Sequence, residues 1–422
     1  MEKTNSMDIK VKNRYGMLAA GMLVQLCAGI IYMWSVFKGP VSQHLEWDPA
    51  KAALTSSIML AVFVLGIILG GRAQDKIGPK IVTTAGSIML SLGIILTAMV
   101  TKEIPWLVYI TYGIIGGFGV GTVYTATVSV IQKWFPDKRG FATGFMVAAF
   151  GFSLVIFAPI TSYLLSRFGV PTTFVAFGII FLLVCLPSSL HIENPPENYT
   201  PAGFVAAKAQ SAKKQYTTSE MLKSRQFYLI ALSLFCILPA YFILNPIFIT
   251  LGTDRGLSHE LALLGVMVTG IASASGRLVT SWVSDLVGRK RAVCGIILIT
   301  MVSILTMIVA QGVLFLVCIA AIAFSFGGAA GVYPAITADN FGTKHMGLNY
   351  GCVMVGFGTS ALIFPVISNM LVKSGEYTAS FLLAASTCLV ALILVLLQKN
   401  PESQGKILFC QCRLSPRRNT LR

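Results

Sequence analysis

Charged residues are scarce in this chain. Asp, Glu, Lys and Arg make up 11% of its 422 residues, whereas a soluble globular domain carries about 25%. Hydrophobic residues make up 55%, and the mean hydropathy is +0.77. So little charge cannot cover a water-facing surface of this size, which excludes a string of soluble domains. Histidine is also rare, and no metal-ligand spacing or nucleophile–base pattern is present. The sequence therefore predicts no enzyme, no metal site and no cofactor.

What the chain does contain is long apolar runs. They recur along the sequence at roughly 18–25 residues each, long enough to cross the hydrocarbon core of a bilayer. A membrane β-barrel would show short alternating segments instead. We therefore predict an all-α membrane protein with twelve transmembrane helices near residues 16–37, 53–71, 81–100, 106–131, 142–165, 172–190, 226–250, 260–283, 292–310, 313–337, 348–371 and 378–397.

The net charge of +16 follows membrane topology. If the first helix starts inside the cell, most of the 32 Lys and Arg side chains fall in the termini and the cytoplasmic loops. This is the positive-inside rule. It predicts a multi-pass protein of the plasma or bacterial inner membrane with both termini cytoplasmic. It also argues against nucleic acid as a partner, since the charge is spread over one membrane side.

Two loops in the two halves of the chain match each other. Residues Gly71–Lys80 follow the second helix, residues Ser281–Lys290 follow the eighth, and both read small-x-x-x-Asp-x-x-Gly-x-Lys. A Phe-Gly-x-Ser sequence also recurs in helices five and eleven. A repeat of this size predicts two six-helix bundles related by pseudo-symmetry. The expected organisation is a tail 1–15, a bundle 16–190, a polar cytoplasmic linker 191–225, a bundle 226–397 and a basic tail 398–422.

The repeated loop can act as a charged latch. Its glycines allow a tight turn, and its Asp can pair with neighbouring cations or with a helix N-terminus. Such a contact would hold the cytoplasmic side closed in one state and release it in another. The alternative is a plain turn that carries positive-inside charge. The candidate latch residues are Gly71, Asp75, Lys76, Gly78, Asp285, Gly288 and Arg289.

These paired loops resemble the signature of the major facilitator superfamily. The resemblance covers about residues 15 to 397, and the second copy departs from the first where Ser281 replaces the leading Gly and Leu286 the basic residue. It implies the major facilitator fold, in which two six-helix bundles surround a central site, and it implies a transporter. We expect a monomer in the lipid bilayer.

Arg277 is the one ionisable residue well inside a predicted helix, about two turns from the cytoplasmic end of helix eight. A charge at that depth costs several kcal/mol unless it is paired, so it is a functional candidate. Its planar fork can give two parallel hydrogen bonds to a carboxylate. The alternatives are that the side chain extends to the cytoplasmic surface or pairs with Asp285.

A narrower resemblance is to the oxalate/formate antiporter family and its bacterial monocarboxylate-carrier branch. It rests on Arg277, on the Ile31–Phe37 run in helix one and on Asn349-Tyr350-Gly351 at the start of helix eleven. In that family's oxalate exchanger, an Arg in helix eight and a Lys in helix eleven together bind the dianion. Arg277 matches the first position, and Phe357 stands at the second. The resemblance is therefore to carriers with a single cationic group.

Further candidates are polar or aromatic side chains at depth, whose hydroxyl or amide groups could bond a second substrate oxygen. Packing between helices is an equally open interpretation for each. These candidates are Tyr32, Tyr124, Asn245 and Tyr333. Asp254, at the outer end of helix seven, is a candidate for pH gating.

The sequence thus predicts a secondary carrier of small organic anions that works by alternating access. Monocarboxylates such as lactate, pyruvate or formate are the expected substrates, with a proton or a counter-anion as the coupled ion. The alternatives are an oxalate/formate-type dicarboxylate exchanger and a membrane receptor that binds a small carboxylate without transporting it. An exporter of cationic drugs would need an acidic residue at depth, and the predicted helices contain none.

Overall fold

The computed structural model describes residues 13–196, 199, 201, 215–244, 247–372 and 377–398. The chain divides into two compact units, Met1–Phe204 and Val205–Arg422. Each described unit contains six helices of membrane-spanning length, as the sequence predicts. Nine helical segments among the described residues are both long and apolar enough to cross a bilayer. One of these nine, Arg139–His191, contains two spans because the backbone leaves the helical conformation at Gly169.

The first unit contains the helices α1 to α6. α1 is interrupted: Arg14–Ala28 is followed by a 3-10 turn, Gly29–Tyr32, and by a second helical piece, Trp34–His44. The remaining helices are α2 (Pro49–Ile77), α3 (Pro79–Thr97), α4 (Tyr109–Trp134), α5 (139–168) and α6 (170–191).

The second unit contains α7 to α12, preceded by a short helix, Thr218–Leu222. α7 is also interrupted, since Arg225–Ile237 is followed by the pieces Pro239–Leu244 and Phe248–Asp254. The remaining helices are α8 (His259–Val287), α9 (Arg289–Thr306), α10 (Gly312–Phe341), α11 (Met346–Leu371) and α12 (Thr378–Leu397).

The exposed faces of these helices are apolar. Large side chains such as Leu69, Leu183 and Val302 are more than half exposed. A water-soluble protein would bury such groups, whereas lipid tails accept them at no cost. The outer surface is therefore the surface of an integral membrane protein.

The same helix crossing occurs in both units. In the first, α2 and α4 approach so closely that a Cβ atom added at Gly121 would overlap the carbonyl oxygen of Phe63. In the second, a Cβ atom at Gly327 of α10 would overlap the carbonyl oxygen of Ser273 of α8. Phe63 and Ser273 hold the same place in the sequence repeat. Small residues allow this backbone contact, which is how membrane helices pack tightly.

The two matched turns also have the same backbone form. Gly78 joins α2 to α3 with φ 87°, and Gly288 joins α8 to α9 with φ 95°. An L-residue rarely adopts this conformation, so glycine is required for the sharp reversal. The repeat predicted from the loop sequences is thus present in the helix ends as well.

Candidate functional site

Arg277 lies on a buried polar stripe of α8. Thr269, Ser273, Arg277 and Ser281 follow each other at four-residue spacing, which places them on one helix face, and all four are buried. Arg277 is 2% exposed, and the helix continues for about 15 Å beyond it to Val287. An arginine extended to the membrane surface would expose its guanidinium, so the buried position contradicts that alternative.

The backbone at Arg277 is held by the crossing with α10. A Cβ atom added at Gly331 would lie 2.8 Å from the carbonyl oxygen of Arg277, and one at Gly276 would overlap the carbonyl oxygen of Phe324. Contacts on both sides of Arg277 leave this stretch of α8 little freedom to shift. The close helix crossing therefore fixes the point on α8 from which the Arg277 side chain extends.

An aromatic cluster of the second unit contains Phe357. Its ring meets the ring of Phe242 at 5.4 Å and that of Phe326 at 6.1 Å between centroids. Tyr241 stacks on Phe326 at 3.9 Å. Phe326 immediately precedes Gly327, the residue of α10 that packs on Ser273 of the polar stripe. The structure therefore places Phe357, a predicted site residue, in a cluster of aromatic side chains from α7, α10 and α11.

A second aromatic cluster, in the first unit, brings together two predicted site residues. Tyr32 and Tyr124 each meet the ring of Phe150 edge-on, at 5.4 Å and 5.3 Å. Phe63 of α2 packs against Tyr124 at 5.5 Å. Tyr124 is buried, whereas Tyr32 is partly exposed. The cluster lies at the interruption of α1, because Tyr32 ends its 3-10 turn.

Tyr333 has a partner inside its own unit. Its hydroxyl lies 2.8 Å from Oγ of Ser233 on α7, and the amide of Gln398 donates to the same Ser233 oxygen at 3.1 Å. The first unit has a matching bridge between α1 and α4, where the amide of Gln25 donates to Oγ1 of Thr127 at 2.8 Å. Tyr333 and Thr127 hold the same place in the repeat. Tyr333 thus ties helices together, and its role as a substrate contact stays a prediction.

Of the two remaining predicted residues, one lies outside the described part of the chain and the other at the end of α7. Asn245 falls outside the described residues. Asp254 is exposed at the end of Phe248–Asp254. Its neighbour Arg255 donates from Nη1 to the carbonyl oxygens of Ile308 and Ala310, at 3.0 and 3.1 Å. Arg255 therefore caps the C-terminus of α9.

The predicted latch residues of the second unit form an ion-pair network. Arg289 contacts Asp285 at 2.5 Å and Asp339 at 3.0 Å, and it donates to the hydroxyl of Ser284 at 2.6 Å. The network joins the end of α8, the start of α9 and the end of α10. Asp285, the residue considered as an alternative partner for Arg277, is thus engaged by Arg289.

The first unit uses a different pairing at the same place. Asp75 accepts a hydrogen bond from the amide of Gln74 at 2.9 Å and interacts electrostatically with Lys133 near the end of α4. Lys76 is exposed, and Gly71 lies buried one turn before Asp75.

Lys133 and Asp339 were not predicted from the sequence. Each stands two residues before a matching phenylalanine at the end of its helix, Phe135 after α4 and Phe341 in α10, where the loops 135–144 and 341–351 resemble each other. A comparison of the two repeats for charge at matched positions would have found them. The two positions carry opposite charges, which explains why the second unit needs a bridging Arg289 and the first does not.

Comparison with known proteins decides the family. The model of the Major Facilitator Superfamily matches residues 17–282 and 230–411. The chain belongs to the major facilitator superfamily. The described residues contain no group of three or more His, Cys, Asp or Glu that could hold a metal ion.

Its relatives are transport proteins and not enzymes. An MFS-type transporter of Escherichia coli, YhjX, is 29% identical over 83% of this chain and 86% of its own length. The oxalate:formate antiporter of Oxalobacter formigenes is 26% identical over 90% and 89%. Monocarboxylate transporter 13 of Rattus norvegicus is 26% identical over 87% and 85%.

Solved structures show the same fold. The E. coli fucose:proton symporter aligns with a TM-score of 0.69 at 16% identity, over 91% of this chain and 98% of that chain. The human organic anion transporter MFSD10 also aligns with a TM-score of 0.69, at 14% identity, over 91% and 100%. The all-helical fold with twelve spans is thus confirmed, and the chain is a membrane transporter.

Proposed function

We propose that this transporter carries small organic anions, and that its preferred substrates are monocarboxylates such as lactate, pyruvate or formate. It would work by alternating access, as a proton symporter or an anion exchanger. The observation that carries the proposal is the buried guanidinium of Arg277, 2% exposed, on the polar stripe of α8. A charged side chain buried inside a membrane protein costs free energy, which makes a functional role the default expectation. The planar guanidinium can give two parallel hydrogen bonds to a carboxylate.

The number of charges favours a monocarboxylate over a dianion. Arg277 neutralises one carboxylate. The helix α11, Met346–Leu371, contains no Lys or Arg in its sequence, and Phe357 packs among aromatic rings. A second negative charge without a cationic partner in a water-poor site would cost several kcal/mol. The relatives include both an oxalate:formate antiporter and a monocarboxylate transporter, and this argument supports the second class.

Other residues have supporting roles in the proposal. Tyr32 and Tyr124 are proposed as hydroxyl contacts to the substrate, because they share one aromatic cluster in which Tyr32 is partly exposed. The interactions of Asp75 with Lys133 and of Asp285 with Arg289 are proposed as the latch that changes partners during the transport cycle. Asp254, exposed at the end of α7, stays the proposed pH-gating residue.

Uptake of labelled pyruvate into proteoliposomes tests the proposal. Arg277→Lys keeps the charge but loses the fork, so uptake should fall at least tenfold, about 1.4 kcal/mol. Arg277→Ala should abolish uptake. Arg225→Lys is the matched control, because Arg225 is exposed at the start of α7, and it should transport normally.

Ligand binding is measured in parallel as thermal stabilisation of the purified protein by a panel of carboxylates. Near-normal uptake by Arg277→Ala would refute the role of Arg277. Strong stabilisation by a carboxylate without any uptake would instead indicate a receptor. Oxalate that outcompetes lactate in the unmodified protein would show that another cationic group reaches the site.

A further inference from the structure

The interruption of α1 has no proline to explain it. The 3-10 turn Gly29–Tyr32 and the following Met33 contain no proline, and Pro40 lies two turns further on. The carbonyl oxygen of Ile30 accepts a hydrogen bond from the N–H of Met33 at 2.9 Å, the three-residue spacing of a 3-10 turn. Such a break inside a membrane needs another cause, because carbonyl groups there must find a donor within the protein.

Tyr112 of α4 supplies a second donor to the Ile30 carbonyl. Its hydroxyl donates to the carbonyl oxygen of Ile30 at 2.8 Å, and its side chain is fully buried. Its ring packs against Trp34, the residue that restarts the helix, with centroids 4.8 Å apart. The indole N–H of Trp34 in turn donates to the carbonyl oxygen of Ala52 on α2 at 2.8 Å. The break is thus held from both sides by neighbouring helices.

Tyr112 itself lies in an unusual stretch. Residues Tyr109–Gly116 form a π-helix at the start of α4, where the wider turn shifts side chains relative to a regular α-helix. π-helical turns are rare and occur often at functional sites. The described residues of the second unit show a different arrangement: the interruption of α7 contains Pro239, and the position of α10 that matches Tyr112 in the repeat is Cys318. Within the part of the chain that the structure describes, the break held by a tyrosine hydroxyl is therefore found in the first unit.

We infer that Tyr112 is a positioning residue, which holds the Ile30 carbonyl and thereby fixes where Tyr32 lies in the aromatic cluster of the first unit. Tyr32 closes the turn two residues after Ile30 and packs on Phe150 at 5.4 Å. Without the hydroxyl of Tyr112, the Ile30 carbonyl can return to the regular four-residue bonding pattern, which would rotate Tyr32 about the helix axis. The inference rests on the proposed function only where it makes Tyr32 a substrate contact.

A spectroscopic test needs no substrate. 3-Fluorotyrosine is placed at position 32, and its ¹⁹F resonance is compared in unmodified protein, Tyr112→Phe and Tyr109→Phe. Tyr112→Phe removes one oxygen atom and should move the resonance. Tyr109→Phe is the matched control, because Tyr109 is in the same π-helix but its hydroxyl donates to the carbonyl of Lys51 at the surface. An unchanged resonance in Tyr112→Phe overturns the inference.

Trp34→Phe, which removes the donor to Ala52 on the other side of the break, is the second variant. It should also move the resonance and covers the case in which Tyr112→Phe does not fold. If Trp34→Phe folds and leaves the ¹⁹F resonance at position 32 unchanged while Tyr112→Phe is unfolded, the inference is overturned.

Uptake kinetics test the link to the substrate. Loss of one buried hydrogen bond corresponds to about a fivefold effect, so Tyr112→Phe should raise KM for pyruvate by about fivefold at similar Vmax per folded protein. In a Tyr32→Phe background the same change should alter KM less than about twofold. An undiminished effect in that background overturns the positioning role. If the unmodified protein takes up no carboxylate, the proposed function fails while the ¹⁹F comparison still decides the role of Tyr112.

Discussion

The two units of this transporter use one backbone arrangement and two different side-chain sets. At the crossing of α2 with α4, Gly66 packs on Phe118, and at the crossing of α8 with α10, Gly276 packs on Phe324. These pairs hold the same places in the repeat. Both crossings leave no room for a Cβ atom, so in both units the helix contact is made by backbone on backbone.

The faces of α2 and α8 next to this crossing differ in polarity. In α2 the face carries Met59, Phe63 and Ile67, all buried and apolar. The matching places in α8 are Thr269, Ser273 and Arg277. The comparison teaches that glycine contacts preserve the fold in both units, while the side chains beside them are free to differ. A charged group was therefore accommodated in one unit without altering the helix crossing.

The largest effect should come from filling the crossings. Gly121→Ala and Gly327→Ala each place a methyl group against a carbonyl oxygen of the facing helix, so each should destabilise its unit by about 1–3 kcal/mol or more. Thermal unfolding and the yield of folded protein measure this. Gly295→Ala is the control, since a Cβ atom there meets nothing within 4 Å. Equal stability of Gly295→Ala and Gly327→Ala would contradict the backbone-contact interpretation.

Arg277→Ile gives α8 the residue that α2 has at the matching place, Ile67. The crossing at Gly276 is unaffected, so the protein should fold with little change in its unfolding temperature. Uptake of monocarboxylates should fall at least tenfold because the guanidinium is lost. Proteoliposome uptake at equal amounts of folded protein is the measurement. Full uptake with Ile at this position would show that α8 is not the anion-binding helix.

The two predicted latch regions can be compared directly. Asp75 interacts electrostatically with Lys133 of α4, whereas Asp285 is bridged by Arg289 to Asp339. Asp75→Asn removes the charge that interacts with Lys133 and should lower Vmax about fivefold, which corresponds to about 1 kcal/mol. Thermal stabilisation by substrate should persist. Asp137→Asn is the control, since Asp137 pairs with Arg14 and lies outside the Gly71–Lys80 loop. Lost binding in a folded Asp75→Asn would place Asp75 in the substrate site.

Phe357→Lys tests whether the lack of a second cationic group explains the expected preference for monocarboxylates over dicarboxylates. A second cation near α8 should shift competition from lactate toward oxalate or malonate by several-fold, about 1 kcal/mol or more. Competition at pH 7 against labelled pyruvate is the measurement, and Phe357→Met controls for the loss of the ring. A preference that stays with lactate in a folded Phe357→Lys would remove position 357 from the binding site.

The smallest effect is expected at the bridge between α7 and α10. Tyr333→Phe removes the hydrogen bond to Ser233, which should cost about 1 kcal/mol of stability, with uptake retained. Thr127→Val, at the matching place of the first unit, should behave similarly. Thermal unfolding and uptake measured together separate the two roles. A large fall in uptake at unchanged stability would indicate that Tyr333 contacts the substrate.

The sequence by itself determined the number of membrane-spanning helices, the internal repeat and the choice of Arg277 as a candidate site residue. The twelve spans were predictable because a helix must be apolar over about twenty residues to cross a bilayer, a local requirement that is written in consecutive residues. The repeat was predictable because Gly78 and Gly288 perform the same reversal and retain the same neighbours. Arg277 was noticeable because a charge is so costly at that depth.

Tertiary structure alone decided which side chains meet. From the sequence, Asn349 was noted only through the family resemblance. The structure shows that its amide nitrogen donates to the carbonyl oxygen of Tyr216 at 3.1 Å and that its amide oxygen accepts from the hydroxyl of Thr218 at 2.8 Å. Nothing local indicated that Tyr112 bonds Ile30 or that Asp339 joins the ion-pair network of Asp285 and Arg289. Each of these contacts joins residues far apart in the chain, and its geometry depends on how whole helices cross. Local hydrophobicity fixes where a helix runs, but only packing between helices determines which polar groups find partners.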